Sequence, residues 1–310
     1  MSGVFWIDAT AFAVFGLLVG SFLNVVIYRL PIMMERQWQA EYAQMSPTGQ
    51  LDGATEQAVS PIPKGPYANH ALSTPFNLMT PRSCCPVCGH QIRWFENIPV
   101  LSYLALRGRC SQCKTPISLR YPAIELTCAF FFAMAFVHHG ANWPAIAWAV
   151  FAAMLITQFF IDFDTQLLPD DINYPLIWLG LAVAAMGATR VTLASAVWGA
   201  IWGYLSLWLV FHVYRLLTGK EGFGYGDFKL LAGLGAWFGG EFLIAIILLA
   251  SVVGSLMGGL MLVIGKLANK DIPIAFGPYL AGAGLMAMAV GPERVMHWVP
   301  FAFPFAALAR

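Results

Sequence analysis

Asp227 sits in the stretch Gly222-Phe223-Gly224-Tyr225-Gly226-Asp227-Phe228-Lys229, between two long apolar runs. A carboxylate entering a membrane is costly to desolvate and marks a functional site by default. The flanking glycines allow unusual backbone dihedrals and the close approach of a second chain. A second cluster, Asp162-Phe163-Asp164, closes an earlier apolar run. Two carboxylates brought to one membrane depth cannot both ionise easily, so they share a proton. One then serves as base toward a water and the other as acid toward a carbonyl under attack. Asp162 follows directly on the apolar run 152–161 and is the better buried partner, whereas Asp164, two residues on, projects from another helical face. The plain alternative for Asp227 is a solvated carboxylate at a helix start, where negative charge is favoured. Asp170 and Asp171, after Pro169, read as a turn capping the next helix.

A different chemistry is carried by Cys85-Pro86-Val87-Cys88 and Cys110-Ser111-Gln112-Cys113, two C-x-x-C pairs with 21 residues between them. Two such pairs supply four thiolates in a tetrahedron, as in a closed structural zinc site. Gly89 and Lys114, directly after each pair, resemble the turn residues of zinc knuckles. A disulfide is the weaker reading, because charge bias places this segment in a reducing compartment. Cys84 is an alternative to Cys85 with less usual spacing, and Cys84 and Cys128 otherwise read as plain thiols. The metal's part would be to fold a small domain with little core of its own.

The elements that must position these groups are apolar helices. Of 310 residues, 59% are hydrophobic and 11% charged, against about 25% charged in ordinary soluble domains. The chain is expected to be an all-α polytopic membrane protein with about eight transmembrane helices, near 6–28, 123–138, 143–161, 172–188, 193–214, 228–238, 241–265 and 273–291. The sixth is short for a full crossing. With the N-terminus outside, fourteen Lys and Arg fall in cytoplasmic loops and only Arg190, Arg294 and Arg310 outside. That bias sets the orientation and places both aspartate clusters at the cytoplasmic face. The organisation that follows is a first transmembrane helix at 1–28, a small cytoplasmic domain at 29–122 carrying the four-cysteine zinc site between helices one and two, and a membrane domain at 123–310. Within the cytoplasmic domain, 35–83 is rich in Gln, Ser, Pro and Ala and reads as a loosely ordered insertion. Membrane lipid is an implied partner. A net charge of +1 argues against nucleic acid.

Taken together these residues resemble the type IV prepilin peptidase family, the bifunctional leader peptidases and N-methyltransferases of the bacterial inner membrane. The resemblance runs through Gly20-Ser21-Phe22-Leu23-Asn24-Val25 with Arg29-Leu30-Pro31, the cysteine tetrad, and Arg93-Trp94-Phe95-Glu96-Asn97-Ile98-Pro99. It continues through Arg120-Tyr121-Pro122 with Glu125, the stretch from Ile161 to Asp170, and Gly224-Tyr225-Gly226-Asp227. Cys84 departs from the pattern, where a basic residue is more usual. Matched residue by residue, the resemblance implies Asp162 and Asp227 as the catalytic pair of an aspartyl endopeptidase, and Cys85, Cys88, Cys110 and Cys113 as the zinc ligands. It implies cleavage of type IV prepilins and pseudopilins after a Gly, on the cytoplasmic side, followed by methylation of the new N-terminal amine with S-adenosylmethionine. No glycine-rich fingerprint for that methyl donor is present, so its site follows from the resemblance alone. The separate region around Glu96 is expected to serve methylation rather than cleavage. The rival readings are a transporter that uses buried carboxylates for ion binding, or a zinc-organised scaffold. The scaffold leaves Gly224 to Asp227 unexplained, and a transporter more often shows mid-bilayer carboxylates and internal repeats.

Overall fold

The structure, a computed structural model, describes residues 3–45, 75–219, 224–263, 275–291 and 294–295. The stretch 46–74, the pair Gly222-Phe223 and the closing 296–310 lie outside the described residues. The chain divides into two compact units, Met1–Ala133 and Met134–Arg310. This division falls inside a helix whose first turns pack on the N-terminal segment.

In the first unit, α1 (Gly3–Met45) runs along the N-terminal part of α3 (Arg120–His139), with Gly16 against the Ala129 backbone and Gly20 against that of Glu125. α1 does not stop near residue 28. It continues through Pro31 to Met45, so the part of the expected loose insertion at 35–45 is helical. The reason is local: after Pro31 the sequence offers Met, Glu, Arg, Gln and Ala, all good helix formers. The Gln37 amide also donates to Glu41 at 3.1 Å, an i,i+4 pair. Between α1 and α3 lie two small cysteine-bearing hairpins, a 3-10 turn at Trp94–Asn97 and the short α2 (Leu101–Ala105). Arg29 ties this segment to α1 by donating to the carbonyls of Asn77 (2.9 Å) and Pro81 (2.6 Å). Phe76 lies under the guanidinium groups of both Arg29 and Arg36.

The second unit holds α4 (Trp143–Thr165), α5 (Asp170–Ala185), α6 (Leu193–Thr218), α7 (Tyr225–Phe238), α8 (Leu243–Val263) and α9 (Gly277–Val290). α7 is its centre, packed by α5, α6, α8 and α9. A helix that is apolar all round must be buried by protein or lipid. Here protein covers it, with Phe228, Leu230, Leu231, Leu234 and Trp237 all inaccessible. The α6–α7 approach depends on Gly199 facing Gly235, where a Cβ on either would overlap the other's backbone. Beyond it, Trp237 donates to the Leu176 carbonyl at 2.9 Å and packs at a tilt against Phe151, ring centroids 4.7 Å apart.

Among the described residues five helical segments are long and apolar enough to cross a membrane: Phe5–Tyr42, Arg120–His139, Trp143–Thr165, Leu193–Thr218 and Gly240–Met261. The other three expected spans are helices too, but α5, α7 and α9 have only 16, 14 and 14 residues. That falls short of the roughly 20 residues a full crossing takes.

Candidate functional site

Asp162 lies in the last turn of α4, which ends where Gln166 takes a left-handed φ of 55° and its N–H closes on the Asp162 carbonyl. Asp227 is the third residue of α7, three after the cap residue Gly224. One carboxylate therefore comes from the C-terminal end of a helix and the other from an N-terminal end, and tertiary packing joins them. Both are withdrawn from solvent, Asp162 at 4% and Asp227 at 5% exposure. The two are near enough to act on each other electrostatically.

Each carboxylate is held by a backbone N–H at a helix start. Gly224 N–H donates to Asp227 Oδ2 at 3.1 Å. The Gly277 N–H, first in α9, faces Asp162. Helix N-termini favour negative charge at such positions. The remaining oxygens, Asp162 Oδ2 and Asp227 Oδ1, are buried without a hydrogen-bond partner. An orphaned buried acceptor is destabilising unless something else uses it. Gly277 must be glycine for this arrangement, since a Cβ there would overlap Asp162 Oδ2. The Leu168 side chain fills the space between Gly226 and Gly277, 2.6 Å and 2.9 Å from where their Cβ atoms would stand.

Asp164 is only half-buried, as the spacing along the helix predicts. Asp170 does more than start a helix. Pro169 is the cap of α5, with no side-chain capping bond. Asp170 instead receives Lys229 Nζ on both oxygens at 2.7 Å, and the ammonium also lies 5.1 Å from the Tyr174 ring centre. This pair joins the first turns of α5 and α7, two residues past Asp227. One turn before Asp162, Gln158 is fully buried and donates to Asn173 Oδ1 at 2.7 Å. Sequence reading missed Gly277, Lys229 and Gln158. A glycine opening an apolar helix and polar residues inside apolar runs were the available signals.

In the first unit the four sulfurs of Cys85, Cys88, Cys110 and Cys113 lie within 4.8 Å of one another. Cys85 to Cys113 is 3.7 Å and Cys88 to Cys110 is 3.9 Å. Thiolates about 2.3 Å from one zinc in a tetrahedron stand about 3.8 Å apart, so the spacing fits that ion. The two hairpins repeat one geometry. Gly89 N–H returns to the Cys85 carbonyl and Lys114 N–H to that of Cys110, with φ of 70° and 62°. Hydrogen bonds from the Thr115 hydroxyl, then its backbone N–H, and from the neighbouring Cys88 and Cys110 lower the Cys113 thiol to about 6. Cys84 stays outside the cluster, paired in a bridge with Gln91. Glu96 binds the hairpins together through the Arg93 N–H, Ser111 and His90, which hold its carboxyl at about 2.

Comparison with known proteins gives the same two parts. Residues 14–139 match the bacterial peptidase A24 N-terminal domain, and residues 149–259 match the type IV leader peptidase family. The chain is similar to the prepilin leader peptidase/N-methyltransferase of Stutzerimonas stutzeri, 48% identical over 93% of both proteins. It is similar to those of Aeromonas hydrophila, 46% identical over 96% of this chain and 95% of the relative, and Pseudomonas putida, 49% identical over 92% and 91%. No solved structure matches it.

Proposed function

The chain belongs to the type IV leader peptidase family, and from that premise we propose that it is an aspartyl endopeptidase of the bacterial inner membrane. It removes the leader of type IV prepilins and pseudopilins after a Gly at the cytoplasmic face. It then methylates the freed N-terminal amine with S-adenosylmethionine. The observation that carries the peptidase half is the pair of orphaned oxygens on Asp162 and Asp227.

Two buried carboxylates share one proton because two like charges there repel. The ionised member takes a proton from water as the oxygen attacks the scissile carbonyl. The protonated member gives its proton to the carbonyl oxygen, and the member that took the proton from water passes it to the leaving amine as the C–N bond breaks. The unpartnered oxygens supply the positions where water and carbonyl can hydrogen-bond. A helical substrate must unwind to present its peptide bond, and Gly before the cut eases that step.

Cys85, Cys88, Cys110 and Cys113 would hold a structural zinc, which ties the two hairpins into one domain and leaves no open coordination position. Nothing in the geometry favours the transporter or scaffold reading.

The test is leader cleavage of a prepilin by the purified protein, followed by mass spectrometry. Asp162→Asn and Asp227→Asn each keep shape and remove charge, and each should lower the rate by about two to four orders of magnitude. The double variant should be scarcely worse than either single one, because the pair acts as a unit. Asp164→Ala should retain most activity. Full cleavage by Asp227→Asn would sink the aspartyl mechanism.

A further inference from the structure

The Asp162–Asp227 pair is assigned above to cleavage, and methyl transfer takes a second reactant, the donor, whose place is a separate question. Within the first unit, α1, the cysteine hairpins, α2 and the start of α3 enclose a cavity of about 440 Å³. Ligand sites of roughly 300–1,000 Å³ are typical for small molecules. Its wall includes Arg29, Glu96, Tyr103, Tyr121 and Glu125. We propose that this cavity binds the adenosyl sulfonium methyl donor, with Glu125 facing the sulfonium charge. The assignment rests on the methyltransferase half of the function proposed above.

Glu125 carries the argument. It is 8% exposed, and its contacts are the Val100 N–H at 2.8 Å and the Ser21 hydroxyl. Among the described residues no cation is paired with it. A buried carboxylate without a counter-ion is costly, and a cationic ligand in the cavity would supply the missing charge. Val100 adds a second observation. It is β-branched yet adopts φ 57°, a strained conformation that the bond to Glu125 helps to hold. Strain of this kind collects at binding and catalytic sites. Tyr103 and Tyr121, in the same wall, bring aromatic rings, a residue type that suits both a sulfonium and an adenine.

In the reaction the pilin's N-terminal ammonium first gives up a proton to water. The amine lone pair then forms a bond to the methyl carbon as the carbon–sulfur bond breaks, its electron pair returning to sulfur. The products are a neutral thioether and a methylated ammonium, which loses a proton to water. The donor therefore loses its positive charge in the step, and this gives the test its discrimination.

Full-length protein in nanodiscs is titrated with S-adenosylmethionine, a cation at sulfur, and with S-adenosylhomocysteine, neutral there. Glu125→Gln keeps an acceptor for the Val100 N–H. It should weaken the sulfonium ligand by about tenfold or more and the thioether by much less. Ser102→Trp, which fills the cavity, should abolish binding of both while the circular dichroism spectrum stays helical. Ultraviolet cross-linking of methyl-tritiated donor should label peptides within 21–29 or 83–125. Equal weakening of both ligands by Glu125→Gln, no weakening, or label beyond Met134 would overturn the assignment. If the wild-type protein methylates a cleaved pilin while these results fail, the cavity is wrong and the methyltransferase reading stands. If wild-type protein neither binds donor nor methylates, both fall.

Discussion

Asp162 depends on one atom that is not there. Gly277 has no Cβ, and the space it leaves is occupied by the Asp162 carboxylate and by Leu168. Gly277→Ala should keep α9, since Ala is the better helix former by about 1 kcal/mol. It must nevertheless push the carboxylate aside. A displacement of about 1 Å costs roughly a hundredfold in rate, so leader cleavage should fall by that order while circular dichroism is unchanged. Wild-type cleavage by this variant would mean that the carboxylate position is not critical. The cysteines make a second residue-scale prediction. Purified protein should carry about one zinc per chain by metal analysis. Cys85→Ser or Cys110→Ser should lose it, and Cys84→Ser should not, because Cys84 lies in a bridge with Gln91 rather than in the cluster. Zinc persisting at full stoichiometry after all four cluster cysteines are replaced would refute the site.

At the scale of elements, α7 is placed by glycine contacts on one side and by an ion pair on another. Its first turn, which carries Asp227, is fastened to α5 by Lys229 and Asp170. Asp170 is nearly half exposed, at 47% for its side chain, so the pair's contribution to stability should stay within about 1 kcal/mol. Its contribution to geometry should be larger. Lys229→Met keeps the apolar stem and removes the ammonium. It should lower leader cleavage severalfold with little change in thermal unfolding, and Asp170→Asn should add nothing further in the double variant. Independent, additive losses would show that the two residues do not act through each other.

At the scale of the whole molecule, the described residues are mainly helical, with five segments fit to cross a bilayer. Lysines and arginines are concentrated on one side of the expected topology, the side to which the proposed function assigns Asp227. Alkaline phosphatase folds only outside the cytoplasm, so fusions report the side directly. A fusion after Thr189, between α5 and α6, should be active, and one after Gly219 should be inactive. The reverse pattern would invert the topology and put the carboxylates on the wrong face for the proposed cleavage.

Features that depend on a few neighbouring residues were legible in the amino-acid sequence. The two C-x-x-C pairs, their knuckle turns at Gly89 and Lys114, and the burial of Asp162 relative to Asp164 all follow from local spacing. So does the existence of the eight apolar helices, though not of the short α2, because apolar runs of that length have few other ways to satisfy their backbone in a membrane. The far end of α1 was misjudged, since its polar composition hid a helix that propensity and i,i+4 pairs support. What tertiary structure alone decided is which groups meet. Gly277 lies 115 positions from Asp162, Lys229 lies 59 from Asp170, and Val100 lies 25 from Glu125. A helix face records that it is apolar or small but not which other face will cover it. The partner is chosen only when all helices pack at once, and here that packing buries α7 and leaves two carboxylate oxygens without a donor.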